Sequence, residues 1–286
     1  METILIQPLV AALMAAMIAF RSYRKKSLDL SGAFFGFLVV FLHLAVNIRA
    51  GIMLLVFFFT SSKLTKVGAE KKRKSDAEYK EGGQRNWVQV VFNSGIACSL
   101  IVLIWRLIGW EDKCLDCRES TLITSLWGGI IGHYACSTGD TWSSEIGVLS
   151  DAQPRLITTF KVKKRGTNGG VTKTGLLAAA AGGCVIGLEF VLIGFITANC
   201  PDVALKQLLV IPLATLAGLG GSLLDSFLGA TVQYSGFCTV RKKVVGKPGP
   251  TVRRISGVDI LDNNGVNLIS ILLTSVLTSV ACVYIF

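Results

Sequence analysis

The sequence predicts an all-α fold: a polytopic transmembrane helical bundle of about 7–8 spans, with a short extended segment and a glycine-rich loop on its cytosolic face. Three observations predict it. The 286 residues are 51% hydrophobic and only 16% charged, and the mean hydropathy is +0.58, which is typical of membrane proteins. Long apolar windows recur along the chain, and basic residues are concentrated in the loops between them. We expect residues 1–286 to form a single integral membrane domain.

The apolar windows define the individual spans. A spanning helix needs about 20 mostly apolar residues, and four windows satisfy this criterion: 3–20, 88–108, 175–197 and 265–286. Four others are shorter or contain polar residues or glycines, so each is predicted as a span or as a broken or re-entrant helix: 31–46, 50–62, 122–138 and 207–230. No basic segment precedes the first window and no small-residue cleavage site follows it, so we expect a retained helix.

The basic loops predict the orientation. If the N-terminus lies outside and the chain crosses at every window, the strongly basic loops share one side: 21–26, 63–85, 155–173 and 241–254. The positive-inside rule makes that side cytosolic. Since topology accounts for the net charge of +11, we expect no nucleic-acid partner. No Arg/Ser-rich, acid-poor leader precedes the first window, so we expect the endoplasmic reticulum, another endomembrane or the plasma membrane rather than a plastid.

Polar residues form three cytosolic segments, at about 61–87, 138–174 and 231–263. The first is a charged loop attracted to anionic lipid headgroups. Polar residues then run from it into the next span at near-helical spacing and are expected to face protein or a cavity rather than lipid: Arg85, Asn86, Gln89 and Asn93. In the second segment, residues 156–162 are β-branched and alternating, which predicts a short extended segment. Glycines then mark a tight loop before a new helix.

Histidines and cysteines are expected to be structural. His43 and His133 lie within apolar windows and receive no catalytic role. Cys114 and Cys117 form a C-x-x-C on the opposite side, where a local disulfide is the alternative to two plain thiols.

Three carboxylates fall at the predicted cytosolic boundary: Asp140, Asp225 and Asp262. An acidic residue at membrane depth is costly and indicates a functional site. Gly128, Gly132 and Cys136 share a helix face with Asp140, although small residues of this kind also serve simply to pack helices. Hard oxygen ligands on one side suit Mg²⁺ bound to a substrate phosphate. We therefore predict all three carboxylates as metal ligands.

A cluster of cations precedes a glycine-rich loop in the second polar segment. Cationic side chains beside backbone N–H groups are suited to a polyphosphate, and a helix that begins directly afterwards adds its positive end. The predicted nucleotide-binding residues here are Lys163, Lys164, Arg165, Gly166, Thr167, Asn168, Gly169 and Gly170. Positive-inside anchoring is the alternative explanation for the lysines. The loop is not a P-loop, because G-x-x-x-x-G-K-[ST] does not occur.

Four ordered motifs resemble an integral-membrane family that includes the plant phytyl-phosphate kinase of vitamin E synthesis and whose animal members are called transmembrane protein nineteen. They are GDTWSSEIG (139–147), KKRGTNGGVTKTG (163–175), GGSLLDSFLGA (220–230) and LDNNGVN (261–267). The likeness runs from about residue 31 to the C-terminus. A weaker resemblance extends to the CTP-dependent polyprenol kinases.

The resemblance to the polyprenol kinases implies roles for particular residues. Asp140 and Glu145 match the acidic motif, Lys164, Gly166 and Thr167 match the phosphate loop, and Asp262 and Asn263 match a late D-N pair. Asn264 departs from the pattern, since those kinases usually have an apolar residue there.

Together these features predict a kinase that uses a nucleotide, CTP by the resemblance, and Mg²⁺ to convert an isoprenoid monophosphate to the diphosphate at the cytosolic face. Asp140, Glu145 and Asp262 are the expected catalytic residues, with Asn263 and Asn264 at the nucleotide. We expect the prenyl chain between the glycine-faced helices near Gly132 and Gly221. The alternatives are a transporter or membrane regulator of sugar or lipid handling, in which the polar helix ends line a pathway, and a non-catalytic assembly protein.

Overall fold

The computed structural model describes residues 2–75, 83–198 and 203–286. Most of these residues are helical, and each of the eight predicted apolar windows falls mainly on helices. The helices are α1 (Glu2–Arg24), α2 (Leu30–Val46), α3 (Ile48–Lys66), α4 (Ala69–Ser75), α5 (Trp87–Phe92), α6 (Gly95–Ile108), α7 (Cys117–Gly147), α8 (Lys173–Thr197), α9 (Ala204–Gln207), α10 (Val210–Thr231) and α11 (Asn263–Ile285). The strands are β1 (Arg155–Leu156), β2 (Gly170–Val171), β3 (Ser235–Cys238), β4 (Lys243–Val245) and β5 (Val252–Ser256).

Within the described ranges, five helical segments are long and apolar enough to cross a membrane. They are Ile6–Arg24, Ile48–Lys66, Lys173–Thr197, Ala204–Thr231 and Asn263–Ile285. Two further apolar helices, α2 and α6, are shorter. The longest helix, α7, contains more polar residues and glycines, and a large part of its length is buried against its neighbours. It therefore forms the centre of the bundle.

Glycines allow neighbouring helices to approach α7 at backbone distance. A Cβ atom at Gly139 would lie 2.6 Å from the carbonyl oxygen of Gly218 in α10, and one at Gly132 would lie 2.6 Å from the Thr278 hydroxyl of α11. A Cβ at Gly221 would lie 2.5 Å from Cys136 Sγ. Small residues at helix interfaces favour such close packing. The prediction that a prenyl chain lies near Gly132 and Gly221 is therefore wrong, because neighbouring helices already fill both positions.

The window 88–108 is broken into α5 and α6 rather than forming one continuous span. The break falls at Asn93 and Ser94, and the Ser94 hydroxyl donates to the Val90 carbonyl at 2.7 Å. His133 Nε2, from α7, lies 2.9 Å from the Asn93 carbonyl oxygen and donates to it. A buried backbone carbonyl needs a partner wherever water is absent. The side chain of His133 thus stabilises the break.

Two small sheets correct the all-α prediction. β1 pairs antiparallel with β2, but the predicted extended segment 156–162 folds back immediately, because Phe160 adopts φ 54° and its amide donates to the Leu156 carbonyl at 2.7 Å. A three-stranded antiparallel sheet, in the order β4-β3-β5, occupies the basic loop after α10. The fold is thus a helical bundle with small sheets at one end.

The loops meet in two groups. One group, here called the basic end, joins the loops around 25–29, 66–73, 83–87, 145–172 and 232–262. There the Arg85 amide donates to the Ser27 carbonyl at 3.1 Å, and Lys71 Nζ lies 3.1 Å from Asp151 Oδ1. The other group, the opposite end, joins the α2–α3, α6–α7 and α9 regions, where the Gln207 amide donates to the Leu115 carbonyl at 2.9 Å. Loops predicted to share a side therefore contact one another.

The C-x-x-C at the opposite end does not form a local disulfide. Cys114 is disulfide-bonded, whereas Cys117 has a free thiol that donates to the Val283 carbonyl at 3.4 Å. The local disulfide that the sequence left open is therefore absent.

Candidate active site

Two of the three predicted carboxylates meet at the basic end of the bundle. Asp140 of α7 and Asp225 of α10 lie close enough to interact electrostatically, and Ser222 of α10 lies beside Asp140. The glycine contact between α7 and α10, at Gly139 and Gly218, brings the two helices to this distance. We call Asp140 and Asp225 the acid pair.

Residues of α11 complete the surroundings of the acid pair. Ser270 Oγ donates to Asp225 Oδ2 at 3.1 Å. The Asn267 side-chain amide, oriented with its nitrogen towards Asp225, donates to the same oxygen at 3.1 Å and to the Asn263 carbonyl at 3.2 Å. Ser222, Ser270 and Asn267 were not among the predicted site residues. Sequence spacing could not have identified them, because they belong to α10 and α11 and meet Asp140 only through helix packing.

The donor set of the acid pair fits a magnesium ion. Mg²⁺ typically takes one or two protein carboxylates and completes its shell with water and substrate phosphates. In the part of the chain that the structure describes, no group of three or more His, Cys, Asp and Glu side chains could hold a metal. Two carboxylates near a membrane boundary also repel each other unless a cation or a proton compensates them. A metal–polyphosphate complex would supply that compensation.

Asp262 caps a helix. Its Oδ1 accepts from the Gly265 amide at 2.8 Å at the start of α11, and its side chain is exposed. Such a cap satisfies one of the unpaired N–H groups of a helix start. Asn263 and Asn264 form the first turn of α11 directly behind it. The structure thus pairs Asp140 with Asp225 rather than with Asp262.

Glu145 is engaged by a lysine. Lys72 Nζ of α4 lies 2.6 Å from Glu145 Oε2 and also donates to the Leu64 carbonyl at 2.7 Å. Glu145 follows Asp140 by five residues, so the two side chains point about 140° apart around α7. Glu145 therefore ties α7 to α4 and stands on a different face from the acid pair.

The glycine-rich loop packs against the end of α10 beside Asp225. Gly169 has φ +73°, and a Cβ there would lie 2.5 Å from the Ser226 carbonyl oxygen. Asn168 fixes the loop to β3, since its amide N–H donates to Ser235 Oγ at 3.0 Å and its side chain donates to the Tyr234 carbonyl at 3.1 Å. The loop and the acid pair therefore lie at the same end of the same helix.

Part of the loop backbone is already hydrogen-bonded. The Thr167 amide donates to the Lys164 carbonyl at 3.2 Å, and the Gly170 amide donates to the Thr167 carbonyl at 3.0 Å. Together with the Asn168 amide, these groups are not the free N–H donors that we expected. They shape the turn from within, so the side chains become the main candidates for binding phosphate.

The loop cations contact neutral groups in the part of the chain that the structure describes. Lys163 Nζ donates to the Ile255 carbonyl at 3.4 Å, Lys164 Nζ lies 3.6 Å from the centroid of the Phe237 ring, and Arg165 donates to the Asp151 carbonyl at 2.9 Å. None of the ion pairs among the described residues includes these three cations. The three cationic side chains therefore lie near α10, and their contacts in the described chain are carbonyl oxygens or an aromatic ring.

Comparison with known proteins identifies relatives along nearly the whole chain. Residues 13–275 match the model of the family described as integral membrane protein DUF92. Protein PGR of Arabidopsis thaliana is 69% identical over 277 residues, which cover 96% of each chain. An uncharacterized membrane protein of Methanocaldococcus jannaschii is 30% identical over 246 residues, covering 82% of this chain and 87% of the relative. No solved structure matches.

A more distant relative bears on localisation and family. Protein VTE6, chloroplastic, of Arabidopsis thaliana is 28% identical over 198 residues, which cover 68% of this chain and 54% of that protein. Because this relative is chloroplastic, the comparisons do not support our preference for an endomembrane or the plasma membrane over a plastid. The family resemblance drawn from the four motifs is confirmed. The chain is a multi-pass integral membrane protein that belongs to the DUF92 family.

Proposed function

We propose that this protein is a phosphotransferase that uses a nucleoside triphosphate, CTP in our scheme, to convert an isoprenoid monophosphate to the diphosphate. The observation that carries the proposal is the acid pair, Asp140 and Asp225, beside the cationic loop 163–170 at one end of the bundle. The family resemblance to phytyl-phosphate kinase and the similarity to Protein VTE6 support the class of reaction. The assignment of CTP rests on the weaker resemblance to polyprenol kinases.

Phosphoryl transfer asks a protein mainly to position its reactants and to neutralise charge. Mg²⁺, when bound, supplies charge neutralisation on the triphosphate. Asp140 and Asp225 would hold it, and Lys163, Lys164 and Arg165 would steady the phosphate oxygens. An oxygen of the acceptor phosphate attacks the γ-phosphorus, the bond from that phosphorus to its bridging oxygen breaks, and the nucleoside diphosphate leaves. The acceptor phosphate is anionic near neutral pH, so no strong general base is needed.

We further propose that the chain crosses the membrane eight times and that the basic end is cytosolic. The positive-inside rule supports this orientation, as do the contacts among loops predicted to share a side. Whether that membrane is an endomembrane, the plasma membrane or a plastid membrane is a separate question. Imaging of the full-length chain with a C-terminal fluorescent tag, beside endoplasmic-reticulum and plastid markers, tests it.

The reaction is tested with purified protein, prenyl monophosphates, Mg²⁺ and γ-labelled CTP or ATP. We expect a labelled prenyl diphosphate from wild-type protein and its loss in Asp140→Asn and Asp225→Asn, because each change removes a negative charge from the acid pair. Asp259→Asn is the matched control, since Asp259 is exposed at the same end and has no place in the site. Full activity in Asp140→Asn, or no product with any acceptor, would overturn the proposal.

A transporter of a sugar or a lipid is the second candidate, and one observation favours it. Glu189 of α8 is buried, and both of its carboxylate oxygens lack a hydrogen-bond partner among the described residues. Ionisable groups inside a span often line ion or substrate pathways. Substrate uptake by sealed proteoliposomes that depends on Glu189 but not on a nucleotide would favour this candidate over the kinase.

A further inference from the structure

A cavity of about 50 Å³ lies among α1, α2, α3 and α5. Most of its wall is apolar and includes Val40, Leu54 and Phe57. Arg85, Gln89 and Asn93 also line it. These are residues for which the sequence predicted a protein or cavity environment rather than lipid. The cavity therefore combines a largely apolar wall with a row of polar side chains that begins at the Arg85 guanidinium.

The Arg85 guanidinium has few partners. Its Nη1 donates to Ser62 Oγ at 2.9 Å, and its central carbon lies 5.9 Å from the centroid of the Phe58 ring. Among the described residues no carboxylate forms an ion pair with it. The nearby carboxylate of Glu145 is taken by Lys72. Arg85 is thus a cation at a cavity wall without an ion-pair partner in the described ranges 2–75, 83–198 and 203–286.

Electrostatics at this position favour an anion. Burial lowers the pKa of the Arg85 guanidinium below its ordinary value, and the charge of Glu145 partly opposes that shift. A desolvated cation is costly unless an anion and further hydrogen bonds compensate it. A phosphate can accept two parallel hydrogen bonds from one guanidinium, which an amide or a hydroxyl cannot do.

We propose that this cavity binds the isoprenoid monophosphate acceptor, with its phosphate on Arg85 and the adjoining part of its chain against Val40, Leu54 and Phe57. This inference rests on the proposed function for the identity of the amphiphile. The volume accommodates a short stretch of one hydrocarbon chain, so the rest of a long chain extends into the surrounding lipid.

The cavity and the acid pair are neighbours at the basic end but lie on different faces of α7. Trp142 Nε1 of α7 donates to Thr60 Oγ1 of α3 at 3.2 Å, which marks the face of α7 turned towards the cavity helices. Asp140 faces α10 instead. The cavity is therefore a place where the acceptor is held from the bilayer.

Binding of radiolabelled geranylgeranyl monophosphate to purified protein in nanodiscs tests the inference. We expect Arg85→Gln to weaken this binding by about tenfold or more, because charge-assisted hydrogen bonds are lost. Binding of geranylgeraniol, which has no phosphate, should change little. Arg253→Gln is the matched control, since Arg253 is an exposed arginine at the same end and should leave binding unchanged.

A second variant guards against a folding defect in Arg85→Gln. Val40→Phe fills the cavity without touching the charge, and we expect it to weaken the binding of both the monophosphate and the alcohol. The inference is overturned if Arg85→Gln binds the monophosphate as wild type does. It is also overturned if dioleoyl phosphatidic acid competes as strongly as unlabelled geranylgeranyl monophosphate, because the cavity would then be a phospholipid site.

The same measurements separate this inference from the proposed function. Arg85-dependent binding without turnover by any nucleotide would leave the cavity assignment in place and overturn the kinase. Kinase activity in Arg85→Gln with an unchanged KM for the acceptor would leave the kinase in place and overturn the cavity assignment.

Discussion

Arg49 is a buried cation at the opposite end of the bundle, and Asp112 neutralises it. The two side chains form an ion pair, and the Arg49 guanidinium also donates to the Lys113 carbonyl at 2.7 Å. Its central carbon lies 4.2 Å from the centroid of the Phe190 ring, an arrangement that suits a planar cation. The pair joins α3 to the α6–α7 connection, and Thr197 of α8 donates to the same carboxylate.

Removing Asp112 should therefore destabilise the fold strongly. Asp112→Ala leaves the Arg49 charge buried and unpaired, which typically costs about 3–5 kcal/mol. Thermal unfolding in detergent measures the effect. Glu111→Ala is the control, because Glu111 is exposed and lies 3.8 Å from Lys113, where an ion pair contributes about 0–1 kcal/mol. Equal melting temperatures for the two variants would contradict this account of Arg49.

The sequence identified the individual acids better than their partners. Asp140 and Asp225 were both predicted as ligands, and helix packing does bring them together. Asp262 was predicted with them because a D-N motif resembles a site, but a helix start uses the same residue type as a cap. Spacing along the chain cannot decide between these uses. Whether an aspartate belongs to a site or caps a helix depends on which helices approach one another.

At the scale of helices, glycines on α7, α8 and α10 determine how closely the bundle packs. A Cβ at Gly218 would lie 2.8 Å from the Gly183 Cα and 2.9 Å from the Ala179 carbonyl oxygen, whereas a Cβ at Gly220 would meet nothing within 4 Å. The two glycines lie two residues apart on one helix. Alanine substitutions at the two positions therefore distinguish the effect of helix packing from that of helix propensity.

Gly218→Ala should destabilise the bundle, and Gly220→Ala should not. The first change overpacks a backbone contact, at a cost of about 1–3 kcal/mol. The second adds a better helix former in open space and should be neutral or stabilising by up to about 1 kcal/mol. Thermal unfolding of both variants in the same detergent measures the difference. Destabilisation by both changes would show that the contact of α10 with α8 is not the cause.

The break between α5 and α6 was not predictable from apolar content. The window 88–108 is as hydrophobic as a continuous span, and its break depends on a partner that is distant in sequence, His133. Removing that partner should cost about 1–3 kcal/mol, the penalty of an unsatisfied buried carbonyl.

Thermal unfolding of His133→Ala compared with Ser99→Ala tests this account. The Ser99 hydroxyl bonds the Gly95 carbonyl on the exposed side of α6, so its loss should change stability by less than about 0.5 kcal/mol. Similar stability of the two variants would mean that the break does not need the His133 hydrogen bond.

At the scale of the whole molecule, contacts between loops restrict the number of crossings. The loop after α1 bonds the segment before α5 through Ser27 and Arg85, and α4 bonds the segment after α7 through Lys71 and Asp151. If a short helix such as α2 or α6 failed to cross, some of these partners would end on opposite sides of the bilayer. Charge predicted which loops contact one another. The small sheet β4-β3-β5 was missed, because a basic loop and short strands have similar compositions.

Cysteine labelling in sealed vesicles tests the resulting topology. Lys247 is exposed between β4 and β5 at the basic end, and Glu111 is exposed at the opposite end. With a membrane-impermeant maleimide and wild-type protein as the background, Lys247→Cys should react only from the cytosolic side and Glu111→Cys only from the other. Reaction of both from one side would require an even number of crossings between residues 111 and 247, whereas α7, α8 and α9–α10 together provide three. Such a result would remove one helix from the membrane and with it the placement of the acid pair at the cytosolic face.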